Sequence, residues 1–550
     1  MFDAMPRPGG AGHSFPFRRL AAALLLAGAA MPAQGATAAG QAPPQEDPRR
    51  DIVIYGQPLF RDPAAERELD EQGIESYGVS TIDELLSEVQ VELGDPSDQP
   101  LILVNGKRIN DISEIGALPI ETLRSLQVLP RGSAVRLGGT SGQRVINLTL
   151  RRETKTVTVT AAPKIATEGE WHAGRGELLF TRVKGDTRAN VAFRGRGDSL
   201  LLERDRDIIQ PEPTLPYALG GNVIAFPTNL ANQIDPLLSA AAGQIVTVAP
   251  IPAGTPTLAN FAAGANQAAV TDLGLYRSLR GRSRNYDFNG TFGTRLAPWL
   301  TGTATLRFGR NTGRGLRGLP TGLFVLPATN PASPFSQDVA IAKYGPRPLE
   351  YRTRRNNGEA NATFNANWGS WIGNLNLKHN RSRDVSLNDR QTTFGAIPLG
   401  DSTNPFTTDL GNLILVDTTR IATRNLSTFA GATVTGPAAK LPAGPLQTTI
   451  EGSVGWDRLR GRSSVSSLQD RNVRRAQQSI RAAVDVPITS REGEFGSPFG
   501  DLSATAELGR THFSDAGGVT RKAASLTWEP RRLLRLYAGI EEAELPAPLY

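Results

Sequence analysis

Residues 285–308 read NYDFNGTFGTRLAPWLTGTATLRF, and this stretch decides the fold class. Apolar residues recur at even spacings on both sides of a short Ala-Pro-Trp turn: Tyr286, Phe288, Phe292, Leu296, Leu300, Ala304, Leu306 and Phe308. Successive side chains of a β-strand point to opposite faces of the sheet, so a period of two indicates strands. The stretch therefore predicts two long antiparallel strands with one apolar face and one polar face.

The same alternation recurs through the C-terminal two thirds of the chain, for example over 360–368, 480–488 and 502–508. Segments of about ten alternating residues match what a tilted strand needs to cross hydrocarbon. In lipid every backbone amide must be paired, which restricts spanning strands to a closed barrel. We count roughly 12 to 13 strands between Thr154 and Ile540. The alternative is a soluble β-sandwich or β-helix, whose half-buried sheets also alternate.

The segments between these strands fall into two length classes. Short turns are predicted at 297–299, 369–370 and 530–532, and long loops at 201–275, 311–352 and 384–420. Short periplasmic turns and long external loops are typical of outer-membrane barrels, in which the long loops are the natural place for ligand capture.

Composition excludes several other classes. Only 39% of the 550 residues are hydrophobic, and after the N-terminal run no stretch of 18 apolar residues occurs, which excludes a multi-helix membrane protein. The absence of cysteine excludes disulfides, thiolate metal sites and cysteine nucleophiles. The net charge of +7 arises from arginines scattered singly, such as Arg295, Arg307 and Arg481, and this pattern argues against nucleic acid as a partner.

The N-terminus carries an export signal. Arg18 and Arg19 precede an apolar run over 20–30, and a small-residue site follows at Ala36-Thr37-Ala38. These features predict a cleaved secretory signal peptide at 1–38. The alternative, a single anchor helix, would require a longer apolar run.

A small α+β domain is predicted at 74–152. Ser80 and Asp83 suggest a capping box for a helix ending near Val89, and Asn105-Gly106 is the favoured pair for a type I′ hairpin turn. Pro119 suits the first position of a helix with Ile120, Leu123 and Leu126 on its apolar face. That helix leads into a strand over 125–129, and 144–150 alternates as a further strand.

Four motifs in this domain occur in a recognisable order: Leu103-Val104-Asn105-Gly106, Leu118-Pro119, Val128-Leu129-Pro130-Arg131-Gly132-Ser133-Ala134 and Val145-Ile146-Asn147-Leu148. Together they resemble the landmarks of the plug domain of TonB-dependent receptors. Two departures are Leu126-Gln127, where the family often has Ile-Glu, and Pro130 before Arg-Gly. The resemblance implies a plug at 74–152 followed by a transmembrane β-barrel at 153–550, located in the outer membrane of a Gram-negative cell and in contact with its lipid. It also implies active import of a small-molecule or glycan nutrient.

The resemblance extends to Asp51-Ile52-Val53-Ile54-Tyr55-Gly56, a β-prone run in a mobile segment predicted at 39–73. It looks like the TonB box, the strand offered to the TonB-type inner-membrane energy-coupling complex by addition to a sheet edge. An ordinary edge strand would have a similar sequence.

The strand count falls short of the resembled family, which closes its barrel with about twenty-two strands. The last predicted strand begins at Leu534 and breaks at Glu541-Glu542. We therefore expect an incomplete barrel, from a fragment or a shortened gene product. The alternative functions are a truncated, non-transporting receptor remnant and a passive barrel without energy coupling.

No enzymatic motif is present in the sequence. The four histidines, His13, His172, His379 and His512, are scattered, and no Walker A loop, dinucleotide-binding glycine motif or nucleophile elbow occurs. We therefore predict no catalytic residues, no cofactor and no metal. The sequence leaves the substrate and the oligomeric state open.

Overall fold

The structure is a computed structural model that describes residues 65–92, 100–109, 112–116, 118–130, 133–140, 143–206, 208, 214–226, 233–465, 470–491, 495–531 and 534–544. All of them belong to one compact unit, Pro58–Tyr550. The predicted signal peptide at 1–38 and the predicted partner-binding segment at 51–56 lie outside the described residues. Within the described ranges, no helix has the length and apolar character needed to cross a membrane.

The small domain is an α+β unit built on one five-stranded sheet. Its elements are β1 (Arg67–Leu69), α1 (Glu71–Glu75), α2 (Ile82–Glu92), β2 (Leu101–Val104), β3 (Lys107–Arg108), β4 (Leu123–Leu129) and β5 (Val145–Leu150). The sheet order is β1-β4-β5-β2-β3, and only the β2–β5 pair is parallel. Residue 74 is therefore not the start of the domain, because β1 pairs with β4 through Arg67↔Val128 and Leu69 is buried.

The helix α2 packs one apolar face on this sheet. Ile82, Leu85, Leu86 and Val89 recur at helical spacing and are all buried in one core with the inner face of β4 and β5. Burial of each such side chain contributes about 1.5–3 kcal/mol.

The predicted capping residues of α2 are wrong by one position. Thr81, not Ser80, caps the helix, since its Oγ1 accepts from the Glu84 amide at 3.3 Å. The Glu84 carboxylate accepts from the amides of Ser80 and Thr81 at 2.9 and 3.2 Å. This reciprocal pair is the capping box, and Glu84 supplies the acidic group assigned in the sequence to Asp83.

The hairpin prediction is confirmed, since Asn105 and Gly106 join β2 to β3 with φ of 51° and 72°. The predicted helix after Pro119 is only a three-residue 3₁₀ turn, Ile120–Thr122. Leu123 and Leu126 belong to β4 instead, because both are buried against the core as strand residues.

From Glu153 onward strands make up most of the regular structure. They are β6 (Glu153–Ile165), β7 (His172–Lys184), β8 (Thr187–Asp198), β9 (Leu201–Leu202), β10 (Asn222–Ala225), β11 (Val248–Pro250), β12 (Ser278–Arg280), β13 (Arg282–Ala297), β14 (Leu300–Leu316), β15 (Thr321–Leu326), β16 (Val339–Tyr344), β17 (Glu350–Trp368), β18 (Trp371–Gln391), β19 (Ala396–Pro398), β20 (Val416–Leu441), β21 (Gly444–Ser463), β22 (Arg471–Thr489), β23 (Asp501–Phe513), β24 (Gly517–Arg531) and β25 (Leu534–Ala543). Two short helices, α3 (Pro236–Ala242) and α4 (Leu258–Ala263), lie among them.

Thirteen of these strands form one antiparallel sheet, in agreement with the predicted count. Its order, β6-β7-β8-β13-β14-β17-β18-β20-β21-β22-β23-β24-β25, follows the chain from neighbour to neighbour. The predicted mainly-β fold with a small α+β domain is thus confirmed. Within the described residues, β6 and β25 each pair with a single strand, so the sheet is open at both edges.

The two faces of the sheet differ as the alternation predicted. One face exposes large apolar side chains, including Phe292 at 54%, Ile450 at 54% and Leu508 at 59%. The other face buries polar side chains, among them Thr305, Thr363 and Thr449. The predicted break at Glu541-Glu542 does not occur, because Glu542 lies opposite Lys522 and Glu541 pairs with Arg521 at 3.0 Å.

The short turns at 298–299 and 369–370 are confirmed, whereas the predicted long loops are largely folded. β14, β17, β18 and β20 extend into the ranges 311–352 and 384–420. The remaining parts of the three long connections meet in a second five-stranded sheet, β11-β10-β16-β15-β19. We call residues 214–226, 233–277, 317–349 and 392–415 the connection domain.

The core of the connection domain draws on all three connections. Phe261 is fully buried, and its ring lies 5.0 Å from that of Phe335 and 5.8 Å from that of Phe406. The buried Asp235 carboxylate accepts from the Leu238 amide at 2.9 Å and from the Ser336 amide at 2.6 Å. All three connections leave the large sheet at the same ends of its strands, so the connection domain lies at one end and the short turns at 298–299 and 369–370 lie at the other.

Candidate functional site at the small-domain interface

The small domain packs against the polar face of the large sheet. Its contacts reach from Arg188 on β8 to Arg535 on β25, so the sheet wraps around the domain. Hydrogen bonds and ion pairs join the two at several separate points, described below.

The densest of these contacts surrounds Arg481 on β22. Its Nη2 lies 2.5 Å from Glu451 of β21, and its Nη1 lies 3.4 Å from Glu507 of β23. The same Nη1 donates to the backbone carbonyl of Gly139 in the small domain at 2.9 Å. The Glu507 side chain is fully buried and lies 3.3 Å from Arg521 of β24. Arg481 thus joins three strands to the small domain through one side chain.

The turn that reaches Arg481 is the 3₁₀ helix Val135–Leu137, which ends at Gly138. Gly138 has φ of 81°, and a Cβ there would lie 3.3 Å from the Thr433 Cγ2 on β20. A residue without a side chain is therefore required at this close approach. The Val135 carbonyl also accepts from the Thr449 hydroxyl at 2.7 Å.

The same turn makes a second ion pair. Arg136 lies 2.6 Å from Asp485 on β22, whose side chain is 1% exposed. The Thr505 hydroxyl donates to the other oxygen of that carboxylate at 3.2 Å. The buried carboxylate is therefore neutralised by a residue of the small domain.

A third contact lies on the opposite side of the domain. Glu114 ends the 3₁₀ helix Ile112–Glu114, is 1% exposed and pairs with Arg188 at 3.1 Å. The Thr363 hydroxyl donates to Glu114 at 3.0 Å, and the Asn365 amide donates to the carbonyl of Arg108 at 2.9 Å. Hairpin and 3₁₀ helix are thus both attached to the sheet.

The small domain also holds buried charge of its own at this interface. The Arg108 guanidinium donates to the Gly138 carbonyl at 2.7 Å. Burial lowers the pKa of Arg108, an effect that nearby Glu451 opposes. A positive charge placed here is stabilised only while the acidic groups of the sheet stay close.

The interface is suited to reversible attachment more than to chemistry. A buried ion pair contributes little net free energy, because the cost of desolvating both charges offsets their attraction. Removing one partner leaves the other charge buried and unpaired, which is costly. The two charges therefore separate only when water can solvate both of them. Within the ranges that the structure describes, no group of three or more His, Cys, Asp or Glu residues could hold a metal ion.

The sequence did not single out this interface. The predicted site at 51–56 lies outside the described residues. In the sequence, Arg481 was noted only as one of several singly scattered arginines. The only signal in the sequence was that Arg481, Asp485 and Glu507 all lie on the polar face of their strands. The alternation of apolar and polar residues does not show that these three residues contact the small domain.

The chain enters the small domain at the short-turn end of the sheet. Glu66, directly before β1, lies 3.9 Å from Arg535, which follows the connection between β24 and β25. The connection domain lies at the opposite strand ends.

No protein-family model matches the sequence. No curated protein matches it either. Among solved structures, a variant of the ferric enterobactin receptor of Pseudomonas aeruginosa is similar at 14% identity, with 80% of this chain and 53% of that chain covered and a TM-score of 0.36. The siderophore receptor PirA of Pseudomonas aeruginosa is similar at 12% identity, with 88% and 62% covered and a TM-score of 0.39. The Pseudomonas aeruginosa FpvA bound to heterologous pyoverdines is similar at 10% identity, with 86% and 55% covered and a TM-score of 0.39. The chain spans between 53% and 62% of the length of these structures.

Proposed function

We propose that this chain acts as an outer-membrane receptor of the TonB-dependent type, which imports a small-molecule or glycan nutrient. In this proposal the small domain is the plug and the large sheet is barrel wall. The segment at 51–56 is the strand engaged by a TonB-type inner-membrane energy-coupling complex. Export by the signal at 1–38 would bring the chain to the outer membrane of a Gram-negative cell.

The observation that carries the proposal is the polar attachment of the small domain to one face of a sheet whose other face is apolar. Arg481, Arg136 and Glu114 fasten the domain at separate points. A domain held by ion pairs in a polar enclosure can move once those pairs are hydrated, whereas an apolar interface would resist opening.

The apolar face supports a location in lipid. Its large side chains remain exposed over many adjacent strands, far beyond what a soluble monomer tolerates in one patch. Trp299, Trp368 and Trp528 stand near the short-turn ends of their strands and are 53%, 46% and 39% exposed. Aromatic residues at this level are typical of the boundary between hydrocarbon and water in outer-membrane barrels.

The position at which the chain enters the small domain supports the energy-coupling step. Glu66 lies at the short-turn end, which is the periplasmic end in barrels of this kind. Residues 51–56 precede it closely in sequence, so a periplasmic partner could reach them by strand addition. Ligand capture would then fall to the connection domain at the other end.

Site-specific crosslinking tests the proposal, since the chain has no cysteine of its own. A Val53→Cys variant expressed from the native gene, with a single cysteine in the periplasmic domain of the coupling protein, should give a disulfide-linked product in outer-membrane fractions. The matched control is Ala263→Cys, an exposed position in the connection domain, which should give none.

Three outcomes would overturn the proposal. Equal crosslinking of both variants would mean random collision. Unchanged nutrient-dependent growth after deletion of 51–56 would favour a passive barrel without energy coupling. Absence of the chain from the outer membrane would favour a non-transporting remnant.

A further inference from the structure

Six arginines lie on the outer, apolar side of the large sheet and beyond its apolar band. They are Arg381, Arg383, Arg424, Arg458, Arg460 and Arg474, on the adjacent strands β18, β20, β21 and β22. We call them the outer arginine cluster.

Strand parity puts the cluster on the face that points away from the small domain. Arg381 and Arg383 are an even number of residues from Leu377, which is 39% exposed, while the odd-spaced Asn376 is buried on the polar side. Arg458 likewise follows Trp456, which is 55% exposed, by two residues.

The pairing register brings like charges together. Arg383 lies directly opposite Arg424, and Arg424 lies directly opposite Arg460. One step nearer the apolar band, Arg458 lies directly opposite Arg474. Residues facing each other across antiparallel strands have Cβ atoms about 4.5–5.5 Å apart, and like charges at that spacing destabilise a sheet.

Nothing in the described part of the chain neutralises this charge. None of the six guanidinium groups makes a hydrogen bond or ion pair with another described residue, and the Nε and Nη2 atoms of Arg458 are buried without a partner. Other arginines on the same face are paired, since Glu350 lies 2.5 Å from Arg314 and 2.7 Å from Arg352. Apart from Arg458, the arginines of the cluster are exposed, so an anionic partner from outside the chain has access to them.

An open, mainly apolar cavity of about 550 Å³ adjoins the cluster on the same four strands and on β23, and Gln478, Arg510 and His512 also line it. The small residues Ala430, Ala432 and Gly452 lie between the larger side chains of Leu375 and Ile480. Val454 lines the cavity four residues from Arg458, which is about 13 Å along the strand. Charge and cavity are therefore arranged as the two ends of one amphiphilic site.

We propose that this surface binds a phosphorylated lipid of the surrounding leaflet, with phosphates on the outer arginine cluster and an acyl chain in the cavity. Arginine binds phosphate through two parallel hydrogen bonds, which suits a row of neighbouring guanidinium groups. Four strands span about 14 Å, so the six charges match a headgroup carrying more than one phosphate, such as the bisphosphorylated glucosamine disaccharide of lipid A. The inference rests on the proposed function for the membrane location alone.

The test uses the full chain purified in detergent and titrated with lipid A by native mass spectrometry. Lipid A should bind about tenfold or more tightly than the same lipid stripped of its phosphates. The variant Arg424→Gln/Arg458→Gln should lose about tenfold or more of the affinity for lipid A. The control Arg314→Gln/Arg352→Gln removes two charges from the same face but from a paired site, and it should stay within about twofold of the parent.

Folding is not at risk in the test variant, because Arg424→Gln relieves repulsion from Arg383 and Arg460. Its melting temperature without lipid should equal or exceed that of the parent. Lipid A should then raise the melting temperature of the parent and of the control variant more than that of the test variant.

The proposal is wrong if the phosphate-free lipid binds equally well, or if both double variants lose affinity alike. Inorganic pyrophosphate that displaces lipid A at equal concentration would show that the site takes free phosphate and would overturn the assignment to lipid. Binding in detergent requires neither membrane targeting nor energy coupling. A negative result here with positive crosslinking at Val53→Cys would overturn the lipid site alone, and the reverse pair of results would overturn only the transport proposal.

Discussion

Replacing Arg481 by Met should loosen the small domain without unfolding the large sheet. The side chain is 10% exposed and joins Glu451, Glu507 and the Gly139 carbonyl. Removing one partner of a buried charge network costs about 3–5 kcal/mol. Arg521 stays 3.3 Å from Glu507 and Glu451 is 29% exposed, so the cost should fall at the lower end.

A loss of about 3 kcal/mol corresponds to about a hundredfold larger equilibrium population of the open contact. Hydrogen exchange followed by mass spectrometry on the detergent-solubilised chain should show it at the amides of Leu137, Gly138 and Gly139, which are hydrogen-bonded within their turn. Amides in the strand interior of β21 should exchange as in the parent.

The matched control is Arg475→Met on the same strand. Arg475 is 9% exposed and pairs with Asp515 at 2.7 Å, in the turn between β23 and β24. Equal acceleration of the 137–139 amides by the two variants would refute the assignment of Arg481 as the fastening residue. So would an Arg481→Met variant that exchanges like the parent.

Three further predictions follow from particular contacts. Gly138→Ala should destabilise the small-domain attachment by about 1–2 kcal/mol, because φ is 81° and the new methyl group would lie 3.3 Å from Thr433. Faster proteolysis after Arg136 would check this prediction. Gly169→Ala, at a positive φ with open space around it, is the control for backbone strain alone. Phe261→Ala should destabilise the connection domain by about 3–5 kcal/mol and make it sensitive to protease, because the Phe261 ring packs on Phe335 and Phe406. The heat-dependent gel mobility of the chain, which depends on the large sheet, should stay unchanged, and a changed mobility would contradict the prediction. Hydrogen bonds from Tyr77 and Arg67 hold the pKa of Glu92 below its ordinary value of 4.5. Their contribution to the free energy of unfolding is therefore present above that pH and is lost as pH falls through the lowered pKa. The urea midpoints of Glu92→Gln and of the parent should differ near neutrality and converge in acid, and a difference that persists in acid would contradict the prediction.

The sequence by itself determined the strands of the large sheet. Side chains of one strand face alternately the apolar and the polar side of the sheet, so the period of two at Tyr286, Phe288 and Phe292 can be recognised from the local sequence alone. The hairpin at Asn105-Gly106 is equally local, because the positive φ of both residues fixes the turn type.

The connection domain was beyond the reach of the sequence. Phe261, Phe335 and Phe406 come from three connections separated by long strands, and nothing in the local sequence shows that the three rings meet. Segments rich in Pro, Gly and Asn therefore read as loops, although jointly they bury enough apolar surface to fold.

Whether each arginine is neutralised was decided only by the tertiary structure. Arg481 and Arg458 are both single arginines in alternating strands, and in the sequence they differ only in parity. Their parity relative to Ile480 and Trp456 places Arg481 inside, where acidic strands and the small domain neutralise it, and Arg458 outside, opposite Arg474. Whether a charge is balanced depends on the strand across from it, and strand pairing is a property of the assembled sheet.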